Sequence, residues 1–241
     1  LPADLCYKLP ESVSMEEGAL MEPLSVAVMA VKMIGQMPLG ANVVVFGAGP
    51  VGLLTMATAK ALGARHVLAV DIQEPRLEFA KKYAASDYWV PTKMQQGEER
   101  LAYSRRQAEE IRAKFGYEER GPRGVDLIID ATGAEICVQT ALYLAKHGGT
   151  YVQVGMGNDN IVIPITTVLN KELSIKGSFR YGPGCYNTSI DLVARGAVDL
   201  GPLITHRYAF KDAEKAFAAN QSGKGEDGKP LIKAIIDGPE A

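Results

Sequence analysis

The sequence predicts an α/β protein built on a doubly wound parallel sheet, and three observations carry that expectation. Short runs at 42–46, 66–70, 125–130 and 150–154 are apolar throughout, as strands covered on both faces must be. Stretches with apolar residues at helical spacing lie between them. The first apolar run leads straight into a glycine-rich turn, Gly47-Ala48-Gly49-Pro50-Val51-Gly52, that opens a helix.

Residues 1–14 are punctuated by proline and predicted to be extended. Ser14, with Glu17 three residues on, makes a capping box, and apolar periodicity then runs over 19–34. Glu22-Pro23 is expected to divide that stretch into two helical pieces. After the strand at 42–46 comes a helix over 51–62, which Gly63 terminates. The strand at 66–70 ends in Asp71, Pro75 opens the next helix in its first turn, and a short strand lies near 88–90. Residues 93–124 turn polar and charge-dense, with helical spacing over 99–115. They read as a solvated helical excursion with no assigned role. Strand 125–130, helix 134–144, strand 150–154, helix 166–171 and strand 173–178 complete the alternation. His147 is placed to act as a cation at the end of the 134–144 helix. The apolar segments 161–165 and 173–178 either form a sheet edge that pairs with a second subunit or lie in the core. Beyond Tyr181 the rhythm changes to a helix over 187–195, a strand over 203–210, a helix over 212–219 and a last strand over 231–236.

The chain has 241 residues, a net charge of −2 and 47% hydrophobic residues, which suits one large domain or one and a half. No sustained run of Lys or Arg points to nucleic acid or a membrane surface, and no apolar stretch is long enough to span a bilayer. Cys6, Cys137 and Cys185 are widely spaced, which excludes a disulfide framework and fits a reduced, cytoplasmic protein. Without an initiator methionine or a leader-like opening, the sequence reads as a piece of a longer chain.

The chemistry is concentrated in the G-x-G-x-x-G turn. Gly47 permits the tight turn, Gly49 lets a pyrophosphate approach the backbone, and Gly52 lets helix and strand pack closely. The helix N-terminus adds free N–H groups. Asp71, about 20 residues on, would accept hydrogen bonds from both ribose hydroxyls and repel a 2′-phosphate, which favours NAD(H) over NADP(H). Arg76 is placed to stack on the adenine, the alternative being a solvated helix charge. Three further turns should face the cofactor: Ala131-Thr132-Gly133, Val154-Gly155-Met156-Gly157 and Ser178-Phe179-Arg180. Their glycines at 133, 155 and 157 would let the nicotinamide half approach the backbone.

Five segments together resemble, in order and over nearly the whole chain, the zinc-dependent medium-chain alcohol and polyol dehydrogenases. They are Met21-Glu22-Pro23-Leu24-Ser25-Val26, the G-x-G-x-x-G turn, Asp130-Ala131-Thr132-Gly133-Ala134-Glu135, Val154-Gly155-Met156-Gly157 and Phe179-Arg180-Tyr181. Within that family, the runs from Gly148 to Gly157 and from Gly177 to Gly182 are most similar to the xylitol (D-xylulose reductase) and sorbitol dehydrogenase branch. The L-arabinitol dehydrogenases are the near alternative.

The resemblance implies a Rossmann NAD-binding domain over 24–180, flanked at 1–23 and 181–241 by parts of a GroES-like catalytic domain. It implies reversible oxidation of a polyol's secondary alcohol to a ketose, with hydride passing to NAD and zinc acting as Lewis acid. Glu22 would stand at the zinc as ligand or neighbour, and would touch substrate; Arg180 and Tyr181 would hold polyol hydroxyls. Val51, Asp71, Arg76, Val154, Gly155, Met156, Ser178, Phe179 and Arg180 would contact NAD. None of Cys6, Cys137, Cys185, His66, His147 or His206 has zinc-ligand spacing. The expectation is a complete NAD fold with an incomplete zinc site, inactive alone, assembling as a homodimer or homotetramer. Two other readings are a cofactor-binding module without catalysis and a zinc-free quinone reductase relative. Glu22-Pro23 and Phe179-Arg180-Tyr181 speak against the second.

Overall fold

The computed structural model describes residues 2–239. A short 3-10 turn at Ala3–Leu5 interrupts the stretch predicted to be extended. Helix α1 (Met15–Ala19) opens on the expected capping box: Ser14 Oγ accepts from the Glu17 N–H at 3.2 Å, and the Glu17 carboxylate accepts from the Ser14 N–H at 2.8 Å. Helix α2 (Met21–Val28) begins after Leu20 alone, so the joint lies there and not at Glu22-Pro23. Pro23 falls in the first turn of α2, where an N–H has no helical acceptor to lose. The helix then continues as a π-helical turn, Met29–Ile34.

Six parallel strands follow: β1 (Asn42–Phe46), β2 (His66–Val70), β3 (Asp87–Trp89), β4 (Leu127–Asp130), β5 (Thr150–Gln153) and β6 (Ser174–Gly177). Helices α3 (Pro50–Ala61), α4 (Glu74–Tyr83), α5 (Arg100–Phe115), α6 (Glu135–Leu144) and α7 (Ile165–Lys171) lie in the connections. The strand order is β3-β2-β1-β4-β5-β6. Alternate residues serve opposite faces. Val43, Val45, Val67, Ala69 and Ile129 pack with α2, α3 and α4, whereas Val44, Phe46, Leu68, Val70 and Ile128 pack with α5 and α6.

The rule that strands are buried on both faces holds for β1 and β4 and fails at the edge, where β6 is largely exposed. The apolar run at 161–165 is not a strand. Val162 N–H donates to Glu135 and its carbonyl accepts from Gln139, while Pro164 caps α7, so the backbone has other partners than a sheet. Ile161 and Ile163 pack into the core instead.

His147 is not the cation at the end of α6. Lys171 Nζ donates to the carbonyls of Tyr143 at 2.6 Å and Ala145 at 3.0 Å, and Arg112 Nη1 reaches the Tyr143 carbonyl at 2.7 Å. Glu119 pairs with both cations. Burial pushes the Lys171 ammonium down, and Glu119 partly restores it.

Helix α8 (Cys185–Ala194) packs on α2, with Ser25 Oγ 3.1 Å from Ser189 Oγ and Lys32 Nζ donating to Thr188 Oγ1 at 3.0 Å. A second sheet pairs β7 (Ile204–Tyr208) in parallel with β8 (Lys233–Ile236), and α9 (Ala213–Ser222) is its crossover. Arg207 grips Glu16 through two bonds at 2.5 and 2.8 Å. Among the described residues no helix is long and apolar enough to cross a membrane.

Lys171→Met removes the donor shared by the Tyr143 and Ala145 carbonyls at the end of α6 and leaves Glu119 without that partner. The expected loss is about 2 kcal/mol, read as a thermal midpoint lower by about 4–8 °C. An unchanged midpoint would show that the ammonium stabilises nothing there.

Candidate functional site

Strand β1 lies between β2 and β4, and the connections leaving β1 and β4 turn to opposite faces, because α3 and α6 belong to different core layers. A crevice opens at the carboxyl ends where the order reverses. Gly47 starts the turn after β1 with φ +94°, a conformation that side chains disfavour. A Cβ on Gly52 would fall 1.9 Å from the Gly47 carbonyl oxygen, so the first turn of α3 rests directly on the turn backbone. A Cβ on Gly49 would meet nothing within 4 Å. Gly49 is therefore not required by packing, and the space above it is free for a ligand. It is the N-cap of α3, with Pro50 following and no side-chain cap, which leaves first-turn N–H groups unpaired.

Asp71 closes this turn from the side. Its Oδ2 accepts the Ala48 N–H at 2.7 Å and its Oδ1 the Gln73 N–H at 2.9 Å, and each oxygen retains a lone pair for a further donor. Arg76 stands exposed in the first turn of α4. Beside Asp71 lies a cavity of about 310 Å³, largely apolar, walled by Ile72, Trp89, Tyr103, Thr132 and Cys137 among others. Burial pushes the Cys137 thiol up to about 12, so it is a neutral wall group. The sequence reading missed this cavity. Ile72, directly after Asp71, is 80% exposed there, which no local sequence pattern announces.

The turns after β4 and β5 are joined by Asp130. Its Oδ1 accepts the Thr132 N–H at 2.7 Å, the Thr132 hydroxyl at 2.6 Å and the Gly133 N–H at 3.1 Å, while the Tyr151 hydroxyl donates to Oδ2 at 3.2 Å. Burial pushes the Asp130 carboxyl up, against the pull of these bonds. Its carbonyl accepts the N–H groups of Val154 and Gly155. The glycines at 133, 155 and 157 have a nearer reason than ligand approach. A Cβ on Gly155 would lie 2.5 Å from Gly133 N, and one on Gly157 would lie 1.8 Å from Gly133 O. The two turns pack backbone on backbone. Met156 projects from them, 87% exposed.

At the end of β6, Ser178 bonds Gln153 through its N–H, but its hydroxyl is buried without a partner. Phe179 is exposed, and Arg180 adopts φ +55°, with its guanidinium 5.4 Å from the Phe179 ring. Such a backbone in a non-glycine residue is strained and needs surrounding structure to hold it. Tyr181 meets Tyr186 edge-on at 5.2 Å, and Tyr7 stacks on Tyr186 at 5.3 Å. Burial, the Tyr181 hydroxyl and the Glu22 charge push the Tyr186 phenol up to about 12. Glu22 and Tyr181 thus share a neighbourhood with Tyr7 and Tyr186, two residues that sequence spacing did not single out. Glu22 is exposed in the first turn of α2. Among the described residues no group of three His, Cys, Asp or Glu side chains could hold a metal ion, so Glu22 has no fellow ligands there.

Residues 50–195 match the profile of a family described as "Zinc-binding dehydrogenase". A curated relative from Aspergillus fumigatus, named "Probable D-xylulose reductase A", is 49% identical over 237 residues, which is 98% of this chain and 62% of the relative. The chain thus spans less than two thirds of that relative's length. Among solved structures, an Escherichia coli short chain alcohol dehydrogenase complexed with NADH is similar with a TM-score of 0.81 and 26% identity, over 99% of this chain and 64% of that one. Escherichia coli L-idonate 5-dehydrogenase has a TM-score of 0.76 and 28% identity, over 97% of this chain and 60% of that one.

The two glycines of the turn should separate in a stability measurement. Gly52→Ala drives a methyl into backbone and is expected to cost more than about 3 kcal/mol. Gly49→Ala, at an N-cap with open space, should stay within about 1 kcal/mol of the parent. Urea unfolding of both variants checks this, and equal losses would contradict the packing described for Gly52.

Proposed function

The chain belongs to the zinc-binding dehydrogenase family, and from that premise we propose that residues 24–180 are the NAD(H)-binding domain of a polyol dehydrogenase. In this reading residues 1–23 and 181–241 are segments of its catalytic domain, and the enzyme interconverts a secondary alcohol of a polyol, of xylitol or sorbitol type, with a ketose. The observation that carries the reading is the glycine turn tied to Asp71 through the Ala48 N–H, beside a cavity sized for a flat base. The 49% identity to a relative named as a D-xylulose reductase supports the substrate class. The likeness to a dehydrogenase solved with NADH supports the cofactor.

Each residue then has a physical task. The pyrophosphate passes over Gly49, between Gly47 and Gly52, and takes N–H groups from Val51 and Gly52. Asp71 accepts the ribose hydroxyls with its remaining lone pairs, and its charge repels a 2′-phosphate. Ile72 and the cavity take the adenine, with Arg76 along its open side. The nicotinamide lies against Val154, Gly155 and Met156 and against Ser178, Phe179 and Arg180, where the unpartnered Ser178 hydroxyl gains a polar neighbour. Tyr181, Arg180 and Glu22 face the polyol. Zinc is the Lewis acid implied by the family description, and Glu22 is the one residue we assign to it. The described residues do not fit a zinc site, so no step on this chain runs through the metal. The chain should bind cofactor and, by itself, turn over polyol poorly or not at all. Its three free thiols suit a cytoplasmic setting.

Among the described residues the outer edge of β6 bonds no other strand, and Val162, Ile165, Leu169 and Ile175 are exposed around it, between 45% and 74%. A second copy of the chain meeting this edge would cover them and give a homodimer, or a homotetramer if dimers pair.

Two measurements test these assignments. Titration with NADH, followed by nicotinamide fluorescence, should saturate, with NADPH at least about tenfold weaker and Asp71→Ser narrowing the gap. Absence of binding by either nucleotide would return the glycine turn to a purely structural role. Sedimentation should give a dimer or larger for the parent and a monomer for Ile175→Asp; a monomeric parent would remove the β6 interface.

A further inference from the structure

The polar segment left without a role is organised around one guanidinium. Arg106, on α5, donates through Nε and Nη2 to both carboxylate oxygens of Glu98 at 2.8 and 2.7 Å. Its Nη1 reaches Glu110 at 2.7 Å and Thr92 Oγ1 at 2.8 Å, and Nη2 also reaches the Lys93 carbonyl at 3.2 Å. All five of its N–H donors are thereby used, and two carboxylates balance its charge. Arg106, with the backbone N–H of Gln95, holds the Glu98 carboxyl down at about 2, so the pair stays ionised at neutral pH.

These bonds join α5 to residues 90–98, and further bonds run between the same two pieces of chain. Residues 90–98 are a strap without helix or strand, so side chains must hold what a backbone ladder does not. Tyr103 donates its hydroxyl to the Thr92 carbonyl at 2.8 Å, and Gln107 Oε1 accepts from Trp89 Nε1 at 3.3 Å and from the Thr92 N–H at 3.2 Å. Trp89 and Pro91 line the 310 Å³ cavity, as do Tyr103, Gln107 and Ile111 of α5. The placing of these lining residues against one another therefore rests on those bonds and, behind them, on the Arg106 clamp between strap and helix.

We infer that Arg106 is a positioning residue for nucleotide binding: it locks the 90–98 strap to α5 so that the cavity beside Asp71 is a preformed slot for the flat heteroaromatic base. The inference rests on the cofactor reading above. A slot already open to the width of a base binds it without ordering a strap at the moment of contact, and that ordering cost would otherwise be taken from affinity. Arg106 does not itself line the cavity, so it acts through the residues that do, and its effect is confined to the adenosine end.

The probe is ADP-ribose, which carries the base, both riboses and the pyrophosphate but no nicotinamide. Trp89, the one tryptophan of the sequence, reports from the cavity wall. Arg106→Met should weaken ADP-ribose about tenfold and move the emission of the unliganded protein to longer wavelength. Arg106→Lys should not restore binding, because an ammonium cannot supply the fork. Thr92→Val, which removes an acceptor common to Arg106 and Gln107, should act in the same direction and less strongly. Arg207→Met breaks a comparable two-bond pair with Glu16, away from the cavity, and should alter neither readout. Folded Arg106→Met protein with parental affinity and emission would overturn the inference and leave the cofactor reading intact. If Arg106→Met does not fold, parental affinity in Thr92→Val has the same force. A parent chain that binds no ADP-ribose would overturn the cofactor reading, and the inference with it.

Discussion

One buried carboxylate organises the carboxyl ends of the central strands. Asp130 has no solvent exposure and would be costly there as a lone charge. Three donors from its own turn and the Tyr151 hydroxyl make it tolerable, and in doing so they fix the turn after β4. Its backbone carbonyl then sets the turn after β5 by taking two successive N–H groups. Only glycine at 133, 155 and 157 lets the second turn lie against the first. The Gly47 turn faces Thr132 across the crevice, so the lip on the β1 side is measured from this assembly as well.

The two halves of the crevice are made rigid by different physics. At β4 and β5 the fit is steric, backbone against backbone, and allows no side chain at positions 133, 155 and 157. Beside the cavity next to Asp71 the fit is electrostatic, with one guanidinium spanning helix and strap. Isolated surface ion pairs stabilise little. A guanidinium whose five donors are all engaged between two carboxylates, a hydroxyl and a carbonyl is a network, which resists competition from water better than its parts.

The alternation from 42 to 178 was legible because each strand and helix carries its own period, and the observed ends differ from the expected ones by a residue or two. The glycine turn with Asp71 was legible because its chemistry demands fixed residues at fixed offsets. Two misreadings share a cause. Pro23 was taken as a break and His147 as a helix-end cation, each from local sequence, and each was decided by where a neighbouring element places its groups; the choice left open at 161–165, sheet edge or core, was decided in the same way, for the core at Ile161 and Ile163. The cavity was invisible for the same reason. Trp89, Tyr103 and Cys137 come from three elements, and Arg106 in a charge-dense helix looks like any solvated arginine. The grouping of Glu22, Tyr181, Tyr186 and Tyr7 joins residues far apart along the chain, so no spacing could have announced it.

The packing of α2 against α8 has a consequence for how the molecule is made. Met21, Leu24, Ala27 and Val28 are fully or almost fully covered in the finished protein. Helix α3 supplies part of that cover and is synthesised soon afterwards, but Ser189, the partner of Ser25, comes 164 positions later. At about 5–20 residues per second, that is a delay of roughly ten to thirty seconds on the ribosome. The part of the α2 face that α8 covers therefore stays without that cover until α8 has been made. A chaperone that recognises short apolar helices has its natural window on this protein during that interval, and the window closes when α8 docks.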